Sequence, residues 1–231
     1  MKGCEPDDPG CIHNTEELLA LIKNIGFLPL FSNSIEGFSV EEYTLSSSWW
    51  SDDPKTDPWV WRQILSSHPD IAYGKFFGHN AGFISKEWFP VFANYRRNGY
   101  DFDALYDDGM ASARSKKIMD AFELDEDAVS LELMTNELRS KVGRDDKTIT
   151  DLQMQTYLIT SDFRQRKNKK GQLYGWHIAV LSTPETKWGH DYISAGYKEE
   201  PSVSREKIVN QLYKFYPSAD ERSVIKYLGI R

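Results

Sequence analysis

One stretch, from Ala128 to Thr183, limits the fold of this chain more than any other. Near its start, apolar residues recur at spacings of three or four: Leu131, Met134, Leu138 and Val142. Because that spacing gathers side chains on one face, it predicts a helix. Gly143 follows, and glycine is the residue that helix ends favour. A second helix is then expected from Thr148, as its cap, to Ile159.

The second predicted helix has two distinct faces. Its inward face would pack on the first helix through Ile149, Leu152, Thr156 and Ile159. Its outward face would present Thr150, Met154 and Tyr157, with Gln153 on the flank.

A long β-hairpin is predicted after the two helices. Phe163 begins an extended run, and Asn168 to Gly171 has the composition of a turn. Alternation on the return strand predicts one buried face, formed by Tyr174, Trp176, Ile178 and Val180. Five cations lie around the turn, a number that suits a phosphate backbone: Arg164, Arg166, Lys167, Lys169 and Lys170.

Helix, turn, helix and basic hairpin, in that order, indicate a winged helix-turn-helix with the second helix as its recognition helix. Double-stranded DNA is therefore the predicted partner. The predicted DNA-binding residues are Lys147, Thr150, Gln153, Met154, Tyr157, Arg164, Arg166, Lys167, Lys169 and Lys170. The alternative is a small helix-plus-hairpin module whose charged tip is only solvated.

The whole chain of 231 residues is expected to be α+β, mostly helical, with winged helix-turn-helix units in tandem and short β-hairpins. Residues 1–13 are predicted to be flexible or tethered coil, and residues 14–122 an aromatic-rich α+β domain. Residues 128–185 form the winged unit, which the helices of residues 186–231 would cover. An acidic link from Glu123 to Asp127 would join the two domains. No repeat is evident in the sequence.

The net charge of −7 argues against a dedicated non-specific nucleic-acid binder. Acidic and basic residues are segregated along the chain, however, which permits a local positive face. That acidity also favours a different class of function, a module that binds a protein or a small ligand. The sequence leaves the oligomeric state open.

Metal and cofactor sites are not expected. Cys4, Cys11 and His13 match no standard zinc spacing, and the acidic loop from Tyr100 to Gly109 lacks the pattern of a calcium loop. No phosphate loop, dinucleotide fingerprint or nucleophile motif is present. The two cysteines imply no disulfide framework, so a reducing cytoplasm is expected, and no apolar run approaches a membrane span.

Two stretches resemble the winged-helix DNA glycosylases of the AlkZ type, which unhook crosslinks and remove alkylated bases. One runs from Tyr73 to Pro90. The other is the winged unit, with Gly175-Trp176 and Thr183-Pro184. The chain is similar, loosely over residues 25 to 187, to bacterial proteins classed as AlkZ-related. That resemblance implies tandem winged helices with a concave DNA-binding surface.

The chain departs from those glycosylases at their catalytic motif, Gln-apolar-Asp or Gln-apolar-Gln. The corresponding segment, Pro29 to Ser34, has neither a glutamine nor an acid. Gln153 and Gln155 lie two apart on the predicted recognition helix, so their amides diverge by about 200°. We therefore expect a non-catalytic DNA-binding protein with a regulatory or repair-associated role. An active glycosylase with a displaced site, its pocket formed from Trp49, Trp50 and Trp88, is the alternative.

Overall fold

The computed structural model describes residues 3–123 and 131–230. Its centre is a six-stranded antiparallel sheet of order β1-β3-β2-β5-β6-β4. The strands are β1 Phe27–Pro29, β2 Ile71–Phe77, β3 Asn80–Ser85, β4 Leu133–Met134, β5 Ile159–Lys167 and β6 Leu173–Ser182. The helices around it are α1 Thr15–Ile25, α2 Pro58–Ser66, α3 Phe89–Arg97, α4 Phe102–Asp107, α5 Ala113–Met119, α6 Thr135–Val142, α7 Asp146–Met154, α8 Pro184–Trp188, α9 His190–Ser194, α10 Pro201–Phe215 and α11 Glu221–Leu228. The predicted α+β class is confirmed.

One order of elements occurs twice along the chain. A helix and a short strand lead through further helical segments to a hairpin, first as α1, β1, α2, β2-β3 and then as α5, β4, α6, α7, β5-β6. In each half the first strand pairs with the last: Phe27 lies opposite Ile84, and Leu133 opposite Leu181. The halves join where Tyr73 of β2 pairs with Thr160 of β5. The sheet is therefore arranged symmetrically about its central strand pair.

Each half has its own hydrophobic core. The first gathers apolar side chains of α1, α2, α3 and strands β1 to β3, and the second those of α4 to α7 with β4 and β6. A buried arginine of α3, Arg97, joins the halves. Its guanidinium donates to the carbonyl oxygen of Thr156 after α7 (2.7 Å) and to Glu185 Oε1 of α8 (2.5 Å).

The two cores draw residues from both sides of the predicted domain limits, which remain a prediction. Phe102 and Ile118 of α4 and α5 belong to the second core, although residues 14–122 were expected to form one domain. The helices of residues 186–231 contribute Ile208, Leu212 and Val224 to the first core, whereas they were expected to cover the predicted winged unit. Proximity in sequence does not decide which apolar surface an amphipathic helix covers, because the stabilisation depends on how much apolar area is removed from water.

The helix boundaries in the second half also differ from the prediction. Leu133 and Met134 form a strand rather than the first turn of α6. α7 begins after an Asp145 cap and ends at Met154, and Ile159 already belongs to β5. Tyr157, predicted to point outward, is only 2% exposed and donates its hydroxyl hydrogen to the Tyr100 carbonyl oxygen (2.9 Å). The prediction placed Tyr157 on the outward face of α7, but α7 ends three residues before Tyr157. Residues 124–130, including most of the predicted acidic link, lie outside the described residues.

The N-terminal segment contacts the body of the protein. Cys4 donates its backbone N–H to the Thr44 carbonyl oxygen, and Ile12 forms a bridge with Thr44. Cys4 and Cys11 form a disulfide, although the sequence implied no disulfide framework, and the cysteine count no longer argues for a reducing compartment. The spacing of the two cysteines did not reveal this disulfide, because two cysteines at that spacing are compatible with either a bonded or an unbonded pair. Within the described residues, no helix is long and apolar enough to cross a bilayer.

We predict that Leu152→Ala and Tyr157→Ala both destabilise the protein. Leu152 is fully buried, and the Tyr157 ring packs edge-on against Phe102. The expected losses in free energy of unfolding are about 2–5 kcal/mol and about 3–5 kcal/mol respectively. Thr150→Ala is the control, since Thr150 is half-buried at the cleft side of α7. Chemical denaturation measures all three, and a Tyr157→Ala protein that unfolds like wild type contradicts the assignment.

We also predict a pH-dependent contribution from Asp145, the cap of α7. Hydrogen bonds from the Thr148 N–H and hydroxyl, then from Arg114, lower the Asp145 pKa from 3.8 to about 2. Because the folded pKa is the lower one, the stabilisation is complete above pH 3.8 and is lost as the pH falls through 2. Asp145→Ala should cost about 1–2 kcal/mol at pH 7.

That cost should shrink between pH 4 and pH 2 in urea titrations, as the wild-type carboxylate takes up its proton. Asp145→Asn is the matched variant, because asparagine keeps the cap without a titrating group. A cost of Asp145→Ala that stays constant down to pH 2 would show that the ionised carboxylate contributes nothing.

Candidate nucleic-acid interface

The hairpin of β5 and β6, here called the basic hairpin, extends beyond the second core. Residues 166–177 are exposed on both strands and at the turn. The Asn168 side chain closes the turn by accepting from the backbone N–H groups of Lys170 (2.8 Å) and Gln172 (3.1 Å). Gly171 has a φ of +78°, which confirms the predicted turn with its residue suited to positive φ.

The five predicted cations of the basic hairpin do not have equal freedom. Arg164 is held by two carboxylates, those of Glu132 and Asp162, at the base of the hairpin. The Arg166 guanidinium lies 5.1 Å from the Tyr174 ring centroid. In the described part of the chain Lys167, Lys169 and Lys170 form no ion pair, and all three are exposed. Three lysines and one stacked arginine therefore remain for an external anion.

The apolar residues of β6 do not alternate as predicted. Tyr174 and Trp176 are exposed, and only Val180 of the four is fully buried. The cause is that the hairpin extends beyond the second core, so residues 173–177 are exposed on either face of β6. β6 also has a bulge here: Arg164 pairs with Ile178 and Arg166 with Tyr174, so a step of two residues on β5 spans four on β6. A period-two pattern cannot show that a strand continues past the edge of the core.

A cleft of about 420 Å³ lies between α2 and α7, over the centre of the sheet; we call it the central cleft. One side is aromatic, formed by Phe31, Trp59, Tyr73 and Phe163. The other side is polar, formed by Arg139, Asp146, Thr150 and Gln153. Asp146 forms ion pairs with Arg139 and Arg144, which lower its pKa and keep it ionised.

Arg62 is the least compensated charge of the central cleft. Its side chain is stacked between two rings, with the guanidinium carbon 3.5 Å from the Trp59 centroid and 4.3 Å from the Phe163 centroid. Burial lowers the Arg62 pKa and raises that of neighbouring Tyr73 to about 12. Within the described residues, Arg62 Nε has no hydrogen-bond acceptor, and the residue is only 6% exposed. The two rings and a hydrogen bond with Tyr73 compensate part of the cost of burying this cation, and the unpaired Nε leaves the rest uncompensated.

The rest of the protein covers most of the predicted reading face of α7. Gln153 Oε1 accepts from the backbone N–H of Lys75 on β2 (2.8 Å), so Gln153 is buried. Met154 Sδ accepts from the His79 N–H, and Asp151 pairs with the His79 ring. Of the predicted α7 contacts, only Thr150 lines the cleft without burial and only Lys147 is fully exposed.

The segment at which the resemblance places a catalytic motif contributes an aromatic ring instead. Phe31 lines the cleft, while Ser32 is turned away and donates its N–H and hydroxyl to Glu41 Oε2 (2.9 and 3.0 Å). Ser34 pairs with Ser223 (2.6 Å). The sequence did not identify Glu41 and Arg62 as buried charges, because the amino-acid type alone does not show whether a charged residue in a helical segment is buried or solvated.

The molecule is an α+β protein of two topologically matching halves that meet at an aromatic cleft. Over residues 12–229 it matches the family model described as AlkZ related, so the chain belongs to the AlkZ-related family. Comparisons with curated proteins and with solved structures give no significant match. Among the described residues, no cluster of His, Cys, Asp or Glu is placed to hold a metal ion.

We predict that Arg62→Met leaves the free energy of unfolding unchanged or raises it. Methionine keeps the apolar stem between Trp59 and Phe163 and removes a buried cation with an unpaired donor. Replacing poorly compensated buried charge by an apolar residue is neutral or stabilising, by about 1–4 kcal/mol at most. The measurement is urea denaturation beside Arg97→Met, in which a well-paired buried arginine is lost and destabilisation is expected. A loss above about 2 kcal/mol for Arg62→Met would show that Arg62 holds the fold.

Proposed function

We propose that this protein binds double-stranded DNA through its basic hairpin, with each half acting as a winged helix. The observation that carries the proposal is the set of unpaired cations on a hairpin that projects from the core. Lys167, Lys169 and Lys170 are exposed without carboxylate partners among the described residues, and Arg166 lies beside them. Three or four clustered cations suit the regular negative charge of a DNA backbone.

The element order supports the winged-helix interpretation. In the second half, α5, β4, α6 and α7 precede the hairpin, and β4 adds to its second strand. That is the order of a winged helix-turn-helix, with α7 at the recognition position and β5-β6 as the wing. The first half has the same pairing of first strand with last, which supports a tandem arrangement.

The proposed mode of binding depends on phosphates more than on base edges. Gln153 and Met154 of α7 already accept hydrogen bonds from the first half. Lys147 and Thr150 are therefore the predicted α7 residues that could still contact a DNA groove. A net charge of −7 also requires that attraction be local to the hairpin. Affinity should therefore depend strongly on salt and weakly on sequence. A regulatory or repair-associated role fits such binding.

We predict that replacing Lys167, Lys169 and Lys170 together by alanine weakens binding to all duplexes. Each lost phosphate contact should reduce the slope of log K against log salt by about 0.9, so three contacts reduce it by nearly three units. Fluorescence anisotropy titrations at several salt concentrations provide the slope. The control replaces Lys198, Lys207 and Lys214, which changes net charge equally on the C-terminal segments. Equal slopes for both variants would remove the hairpin from the interface.

Base excision is a second candidate, and the central cleft is the observation that favours it. An aromatic side faces the Gln153 amide and an ionised Asp146, which are groups that bind a base and stabilise positive charge. Both polar groups are already engaged, however: Gln153 by Lys75, and Asp146 by two arginines.

We predict that wild-type protein releases no bases, or few, from simple alkylated duplexes. The segment from Ser32 to Ser34 holds hydroxyls and an amide bound within the fold where a catalytic motif is expected. Gel or mass-spectrometric assays of base release test this, with Asp146→Asn and Gln153→Ala as matched variants. Robust release that either substitution abolishes would assign the cleft as a catalytic site. Binding of a small ligand or protein with no DNA affinity would favour the interaction-module alternative.

A further inference from the structure

Trp176 is the most exposed large apolar side chain of the described residues, at 83%. Tryptophan buries more apolar area than any other residue when it packs, so leaving it in water forgoes a large hydrophobic stabilisation. Its presence at the surface points to contact with something outside the chain.

Trp176 lies in a bulge of β6. The residues inserted between the pairs Arg166–Tyr174 and Arg164–Ile178 include Gly175, which has a φ of +75°. Gln165 Nε2 donates to the Gly175 carbonyl oxygen (2.8 Å) and holds the bulge in place. A Cβ at position 175 would lie 3.3 Å from the Arg166 guanidinium, so a larger residue would crowd that position. Gly175 and the Gln165 hydrogen bond therefore fix the backbone that carries Trp176.

The surroundings of Trp176 indicate the chemistry of its partner. Arg166 and Lys167 give the same hairpin positive charge, and Tyr174 and Leu173 add exposed apolar surface to it. Trp176 itself lines a pocket with Asp52, Pro54 and Gln63. An aromatic ring and cations on one hairpin suit a ligand that combines a flat π-face with negative charge. A nucleobase with its phosphate has that combination, and base–aromatic stacking tolerates every base.

We propose that Trp176 stacks on an unstacked nucleobase, so that the basic hairpin prefers DNA whose base stack is interrupted. A one-nucleotide gap exposes such a face, whereas an intact duplex offers none without unstacking. The proposal rests on the proposed DNA binding by the hairpin. The lysines supply affinity for any backbone, and Trp176 supplies the preference for the interruption.

The test compares two labelled duplexes of equal length and sequence, one intact and one with a central one-nucleotide gap, by fluorescence anisotropy. Wild type should bind the gapped duplex about tenfold more tightly. Trp176→Ala should abolish that ratio while keeping affinity for the intact duplex and its salt slope. Trp176→Phe should keep most of the ratio. With 2-aminopurine beside the gap, wild type should change its fluorescence on binding and Trp176→Ala should not.

Two controls separate this proposal from the general one. Met110→Ala removes another exposed apolar side chain, in the loop between α4 and α5, and should leave the ratio unchanged. The triple lysine variant should weaken binding to both duplexes equally and keep the ratio. Thermal melts of Trp176→Ala should match wild type, because an exposed side chain contributes little to the core.

A wild type that binds both duplexes equally, while the lysine variant still loses affinity, overturns the role of Trp176 and leaves the DNA-binding proposal standing. If neither duplex binds, both proposals fail. Sedimentation velocity on the free protein tests whether Trp176 instead contacts a second copy of this chain. A wild-type dimer that Trp176→Ala converts to monomer would assign the ring to contact with a second copy and would also overturn the proposal.

Discussion

The buried Arg97 side chain is the interaction on which the relative placement of the two halves depends. It leaves α3 in the first half and bonds to the Thr156 carbonyl oxygen of the second half and to Glu185 of α8. Its side chain is 1% exposed, so breaking the pair would strand a charge, at about 3–5 kcal/mol. The pairing of Tyr73 with Thr160 joins the two hairpins into one sheet, and Arg97 adds a second connection between the halves.

That placement decides which surfaces remain for a partner. Docking the halves buries Gln153 against β2 and brings Met154 and Asp151 to the β2-β3 turn at His79. A helix used in this way cannot lie deep in a DNA groove along the same face. The surfaces left open are the basic hairpin and the central cleft, and both adjoin Phe163.

Features that cost stability concentrate around those two surfaces. Arg62 is buried with an unpaired donor, Trp176 is exposed to water on the hairpin, and Lys169 and Lys170 are adjacent cations at its turn. Departures from local consistency of this kind are expected where a chain serves a ligand rather than its own core.

The amino-acid pattern alone determined the local elements of the second half. The spacing of Leu138 and Val142 predicted a helix, and Asn168 to Gly171 predicted the turn, because periodicity and turn chemistry act over a few residues. The α+β class and the family also followed from local pattern and resemblance, the latter borne out over residues 12–229. The basic charge of the hairpin followed directly from its amino-acid composition.

Only the tertiary structure decided what faces what. Tyr157 was predicted to point outward because the helix was extended past Met154, and the chain turns inward there at Thr156 with a φ of +67°. The bulge at Trp176 and the disulfide of Cys4 with Cys11 were not predicted from the sequence. The stacked Arg62 and the choice of core by α10 and α11 were equally hidden. The last two depend on contacts between residues far apart in the chain, which a local pattern does not report.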